Sequence, residues 1–429
     1  MKKITASFSI PNNELFKQQM LNWANRFNIC CLLDNHRYLS KHNSIECILA
    51  VGVRKSFTVK DEKDFLQLQS FIKKSNDWLF GHVSYDAKNY IEKLSSHHPD
   101  KIGFPDLFFF QPETIIRLSD KEAIITSECD DAASIFQSIL KEEITSHTAS
   151  SSFNIQPKIS KEKYLAIIRQ LQQHILRGDC YEINFCQEFF AEDAAINPVS
   201  VYRHLSAISP TPFASFYKLD DKYLLCASPE RYAKKTGNTI ISQPIKGTIK
   251  RDVNDLANDE ILKQELLHSN KDRSENVMVV DLVRNDLSKV CKEGSVHAKE
   301  LYGIYTFPQV HQMISTISGE LKDNVEFTDI LKATFPMGSM TGAPKKRVME
   351  LIEQYEASKR GIFSGSVGYI APNGDFDFNV VIRSIMYNSS NRYLSYQVGG
   401  GITFNSDAEK EYEECLLKAD AIKKVLQVG

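Results

Sequence analysis

A meander near the C-terminus constrains the fold most. Residues 366–371 and 376–386 are apolar runs of strand composition flanking Asn373-Gly374, a dipeptide that turns a chain back on itself. A second turn at 388–391 leads into a third strand at 393–398. Strands joined by tight turns pair antiparallel. The pattern predicts an α/β protein of the α+β type, with antiparallel sheets in place of the strand–helix alternation of a doubly wound fold.

Helices surround this meander. Ser160 caps a helix over 160–176 whose Tyr164, Ile167, Ile168, Leu171 and Ile175 recur at helical spacing, and Gly178-Asp179 ends it. A strand follows at 181–190. Val279, Val283 and Leu287 form the stripe of a helix over 274–287. Pro344 suits the first position of a helix over 344–355 that buries Val348, Leu351, Ile352 and Tyr355. Ser406 and Glu409 have the spacing of a capping box for a last helix over 407–426. Before residue 140 the signals are strands at 29–33, 47–51 and 114–116 and a helix over 63–74 carrying Phe65, Leu68 and Phe71. The polar stretch 142–152 reads as a connector between an N-terminal region, 1–150, and a second domain, 151–429. A long surface loop inside one domain fits it equally. No internal repeat is present.

Composition narrows the class. With 52 basic and 54 acidic residues the net charge is -2, so nothing points to nucleic acid or an anionic membrane. No apolar run reaches the ~18 residues of a membrane span, and 4–11 is too short and polar for an export signal. Nine scattered cysteines show no metal-ligand spacing and read as reduced thiols of a cytoplasmic protein.

Five constellations carry possible chemistry. Gly399-Gly400-Gly401 ends a strand, as a flexible corner or as bare amides for a carboxylate or phosphate. Glu411 and Glu414, three apart on the last helix, share a face, so they are a solvated acidic patch or a pair that a divalent cation neutralises. Gly338 to Pro344 runs small hydroxyl residues and glycines into a helix N-terminus, an ordinary cap or an anion site. Lys246 lies between Ile245 and Gly247; partial burial would lower its pKa and free a nucleophilic amine. Asp281 to Leu287, with Glu275 upstream, suggests a buried polar network. Separately, Arg383, on the strand 376–386, could grip a carboxylate with two prongs.

Taken in order, these segments are recognisable. From about Lys158 onward the chain resembles the chorismate-utilising enzymes, which include anthranilate, aminodeoxychorismate, isochorismate and salicylate synthases. The matching stretches are Gly178 to Asn184, Ser228-Pro229-Glu230-Arg231, the Lys246 segment, Asp281 to Leu287, Met337 to Arg347, Gly365 to Tyr369, Ile382-Arg383-Ser384 and Gly399 to Glu414. The resemblance implies an anthranilate synthase-like fold of two subdomains, with large antiparallel sheets packed as a sandwich and helices outside. It implies chorismate as substrate and Mg²⁺ as cofactor. The metal carboxylates would be Glu275 and Glu414, with Glu411 close by or acting through water. Gly399, Gly400 and Gly401 would offer amides to one carboxylate of the substrate. Tyr369 and Arg383 would contact the other, and Ser339 would line the pocket.

Lys246 separates the branches of that family. Anthranilate synthases resemble this segment but carry alanine there, whereas aminodeoxychorismate synthases typically carry lysine. In the latter branch the lysine attacks ring C2, the C4 hydroxyl leaves with Glu230 as general acid, and ammonia displaces the lysine at C4. Glu230 could also serve a structural salt bridge with Arg231 or a neighbour, and both uses are possible. Many relatives have a histidine where this chain has Gln312, beside His311. Leu32-Leu33-Asp34-Asn35 departs from the pattern of tryptophan-inhibited relatives. No cysteine has the glycine setting of a glutaminase nucleophile, which implies ammonia from a separate glutamine amidotransferase subunit. The rivals are an anthranilate synthase, an isochorismate synthase that uses water, and a chorismate-binding protein without turnover.

Overall fold

The computed structural model describes residues 3–38, 42, 45–144 and 153–427. Two large sheets dominate, one of twelve strands and one of ten, and every strand pair is antiparallel. In the first, Ile29–Asp34 pairs with Phe213–Leu219, and Tyr393–Ile402 lies between Ser384–Asn388 and Glu182–Ala191. In the second, Ile245–Lys250 is an edge beside Val310–Glu320, and Ser366–Ile370 pairs with Leu79–Val83. Strands from before and after residue 150 therefore lie side by side in both sheets. Of the expected connector, residues 145–152 lie outside the described residues.

Side-chain alternation explains the sandwich. Cys31, Ile48 and Ala50 point to one core, shared with Phe80, Phe109 and Val367 of the other sheet. Cys30, Leu32, Leu49 and Val51 point the opposite way, onto a core completed by helices, including Tyr164 and Ile168 of Lys161–Leu176. A strand covered on both faces has no polar side to show. Accordingly Cys47–Val51 and Leu107–Gln111 are buried throughout. All nine cysteines are free thiols and eight are buried. No helix among the described residues is long and apolar enough to cross a membrane.

Several elements depart from the sequence reading. The strand expected over 376–386 is two strands, Phe376–Asn379 in the second sheet and Ser384–Asn388 in the first. The chain changes sheets between them, and Arg383 takes a left-handed φ of 51° at the crossing. The last helix breaks at Ala419 into Ala408–Lys418 and Asp420–Gln427. Its capping box does not form: Asp407 accepts the Lys410 amide, and Ser406 Oγ donates to Glu411 Oε1 at 2.8 Å instead. Helix Lys345–Tyr355 starts one residue after Pro344. Between Gly338 and the helix lie a 3₁₀ turn and the two-residue strand Gly342–Ala343, so that segment is not a helix-terminus anion site. In helix Asn270–Ser288, Asp281 and Arg284 pair on the solvent side, whereas Asp286 is buried between Lys289 and Lys345.

Candidate active site

The sheet change at Arg383 opens a cavity of about 140 Å³ where the two sheets part. That is roughly ten times the ~10–15 Å³ that one water needs. Strand Tyr393–Ile402 forms one wall. Its ladder with Ser384–Asn388 stops at Ser395, so beyond that point only the edge facing Glu182–Ala191 has a strand partner. Gly399 and Gly401 line the cavity along the free edge. Gly400, between them, faces Glu411 and Lys418. A Cβ at position 401 would press on the Lys246 amine and on Glu182, so glycine there leaves these two side chains their present places.

Lys246 enters from the edge strand of the second sheet, its side chain only 11% exposed. Its ammonium donates a short hydrogen bond to Glu182 Oε1 and lies 3.9 Å from Glu275 Oε2. Burial pulls the amine pKa down, but the Glu182 and Glu275 carboxylates outweigh it and raise the pKa above the ordinary lysine value. The expected lowering is therefore reversed in this state of the site. Glu182 was not singled out in the sequence. A charged residue inside the apolar run 181–190 was the available signal, and it is 3% exposed.

Across the cavity Glu230 is buried and accepts a 2.5 Å hydrogen bond from Ser339 Oγ. Burial pushes its carboxyl up to about 7. Arg231 pairs with Asp377 at 2.9 and 3.0 Å rather than with Glu230. Arg383 reaches the same cavity, and its guanidinium has no ion-pair partner within 4.0 Å among the described residues. Burial lowers its pKa to about 10, with Glu230 opposing the shift. A guanidinium that faces a cavity with no ion-pair partner among the described residues is a site for a carboxylate.

A third side is acidic. Glu275, Glu411 and Glu414 all line the cavity. Lys271 lies 3.8 Å from Glu275 Oε1 and 3.6 Å from Glu411 Oε1, and Lys418 pairs with Glu414 at 2.9 Å. Burial raises Glu275 to about 7, whereas Lys418 holds Glu414 well below the usual carboxylate range. No group of three His, Cys, Asp or Glu side chains among the described residues is gathered closely enough to hold a metal ion. The donors are still hard oxygens around one cavity, and Glu275 Oε1 is buried with no hydrogen-bond partner among the described residues. That chemistry fits magnesium, with lysine ammoniums supplying the positive charge here.

Tyr369 does not join the site. Its ring packs on Trp78 and Phe80, with centroids 5.3 and 6.2 Å apart, and it lines a separate cavity of about 50 Å³ with Arg231 and Asp377. His311 is also directed away from the cavity: Asp259 holds its Nε2 at 3.0 Å and Thr306 its Nδ1 at 3.0 Å. Gln312, next along the strand, faces the cavity instead. The walls are tied together from behind. Arg360 donates to Asn184 O at 2.8 Å, to Met340 O at 2.7 Å and to both oxygens of Glu356, which in turn accepts the Cys186 amide at 2.9 Å.

The sequence model of the chorismate binding enzymes matches residues 30–424. The chain is 36% identical over 355 residues to an anthranilate synthase component I-like protein of Synechocystis sp., covering 82% of this chain and 72% of that one. It is 31% identical over 364 residues to aminodeoxychorismate synthase component 1 of Bacillus subtilis, covering 81% and 77%. Among solved structures, anthranilate synthase component I from Streptococcus pneumoniae matches with a TM-score of 0.76 at 26% identity, covering 90% of this chain and 95% of that one. The menaquinone-specific isochorismate synthase from Escherichia coli shares the fold, with a TM-score of 0.79 at 16% identity over 99% and 95% of the two chains.

Proposed function

Because the chain belongs to the family of chorismate binding enzymes, we propose that it is the chorismate-converting subunit of an aminodeoxychorismate synthase, with ammonia delivered by a separate glutamine amidotransferase. The observation that carries this reading is Lys246, an amine enclosed in the same cavity as Arg383, Glu230 and the glycine edge. Chorismate is a dianion. Arg383 would take one carboxylate, and the amides of Gly399 and Gly401 would face the other. Gly400 backs that edge, and Ser339 orients Glu230.

Lys246 cannot attack while it is an ammonium. Its proton passes to Glu182, the carboxylate it already touches. The amine then forms a bond to C2, the ring electrons shift, and the C4–O bond breaks. Glu230, whose carboxyl burial raises to about 7 so that a large share still carries its proton near neutral pH, gives the departing hydroxyl the proton that makes it water. Ammonia next forms the C4–N bond as the C2–N bond to Lys246 breaks, and the surplus proton returns to Glu230. The sum is chorismate plus ammonia to aminodeoxychorismate plus water. Mg²⁺ held by Glu275 and Glu414, with Glu411 beside them, would grip the ring carboxylate and draw electron density from the diene.

The test is the product made from chorismate, Mg²⁺ and an ammonium salt, identified by mass and fluorescence. The reading expects aminodeoxychorismate. The Synechocystis relative's name favours anthranilate as the second reading, and free anthranilate would overturn ours. Isochorismate formed without ammonia would overturn it in favour of water as the nucleophile.

A further inference from the structure

We propose that Lys271 is a tethered cation that fills the gap between Glu275 and Glu411 and has to leave it before a divalent metal ion enters. The inference rests on the reading of these glutamates as the metal site.

Lys271 lies one turn before Glu275 on helix Asn270–Ser288, so both side chains share a face. Its ammonium bridges Glu275 Oε1 and Glu411 Oε1 at 3.8 and 3.6 Å. Those are ion-pair distances, too long for hydrogen bonds, so both oxygens keep lone pairs for another ligand. Among the described residues Glu275 Oε1 has no hydrogen-bond partner, and Glu411 Oε1 accepts only from Ser406.

The three lysines of the site are not held alike. Lys246 is hydrogen-bonded to Glu182, and Lys418 to Gly399 O at 3.0 Å. Lys271 makes no hydrogen bond among the described residues, and its side chain is 57% exposed. It is the ammonium that can swing into water on its own stem with no hydrogen bond to break. In place, it keeps the buried Glu275 and Glu411 carboxylates from facing each other uncompensated. A metal ion that takes Glu275 Oε1 brings its own charge beside Glu411 and replaces that of Lys271, so metal entry and Lys271 release are one event.

Two measurements on the full chain test this. Calorimetric Mg²⁺ titration should show Lys271→Met binding roughly three- to tenfold tighter than wild type, the size expected when one or two partly exposed ion pairs need no longer be broken. Lys410→Met, which removes an equal charge from an exposed site on the neighbouring helix, should stay within about twofold. Amine labelling read by mass spectrometry should then show Lys271 becoming more reactive when Mg²⁺ is added. Unchanged or weaker binding by Lys271→Met, equal tightening by Lys410→Met, or labelling that does not rise would each overturn the proposal while leaving the metal site standing. Absence of Mg²⁺ binding by the wild type would overturn both.

Discussion

Glu230 shows how burial turns an ordinary carboxyl into an acid matched to neutral pH. Its pKa is raised from 4.5 to about 7, first by burial, with Ser339 and nearby positive charges opposing. The same shift costs stability. Between pH 4.5 and 7 the folded chain keeps a proton that the unfolded chain has released, so stability falls as pH rises through that window. Glu230→Gln removes the titration. Thermal melts should show the variant gaining on wild type by about 1–3 kcal/mol between pH 5 and pH 8, while turnover falls by ~10²-fold or more. Individual residues were unevenly legible. Arg383, Glu230, Lys246, Ser339 and the carboxylates Glu275, Glu411 and Glu414, each named from a short segment of the sequence, line one cavity. Tyr369 was misplaced because a strand fixes which residues share a face but not which of two sheets' cavities that face looks into. The direction of the Lys246 shift was missed because it depends on Glu182, a partner 64 positions away.

At the scale of elements, the site exists because one strand was broken. Residues 376–386 read as continuous since both halves are apolar, and nothing local shows that they belong to different sheets. The crossing places Arg383 in the opening. Helices with a buried stripe and a capping residue were readable, as Ser160 shows by accepting the Lys163 amide. The choice between neighbouring capping residues was not: Asp407 takes the cap, and Ser406 turns to Glu411. The elements around the cavity depend on Arg360, which joins strand Glu182–Ala191 to the Met340 turn. Arg360→Ala leaves Glu356 buried and unpaired. Chemical denaturation should show a loss of about 3–5 kcal/mol. Arg360→Lys, which restores the charge without the fork, should recover part of that stability while the KM for chorismate stays raised, because two carbonyls need two fixed donors.

The whole molecule is two sheets that each take strands from both ends of the chain, and the cavity lies where they diverge. Lys246 comes from the second sheet, the glycine edge from the first, and Glu275 and Glu411 from helices beside them. The antiparallel class was legible in turns and alternation. The interleaving was not, since pairings such as Ile29–Asp34 with Phe213–Leu219 join segments about 180 residues apart that carry no mutual signal. What this assembly would achieve is a covalent bond between a buried amine and chorismate. Intact-protein mass spectrometry after incubation with chorismate and Mg²⁺, without ammonia, tests that most directly. The wild type should gain the mass of chorismate less one water, added ammonium should remove the adduct as aminodeoxychorismate appears, and Lys246→Ala should show neither adduct nor C4 amination. Full C4 amination by Lys246→Ala would contradict the account.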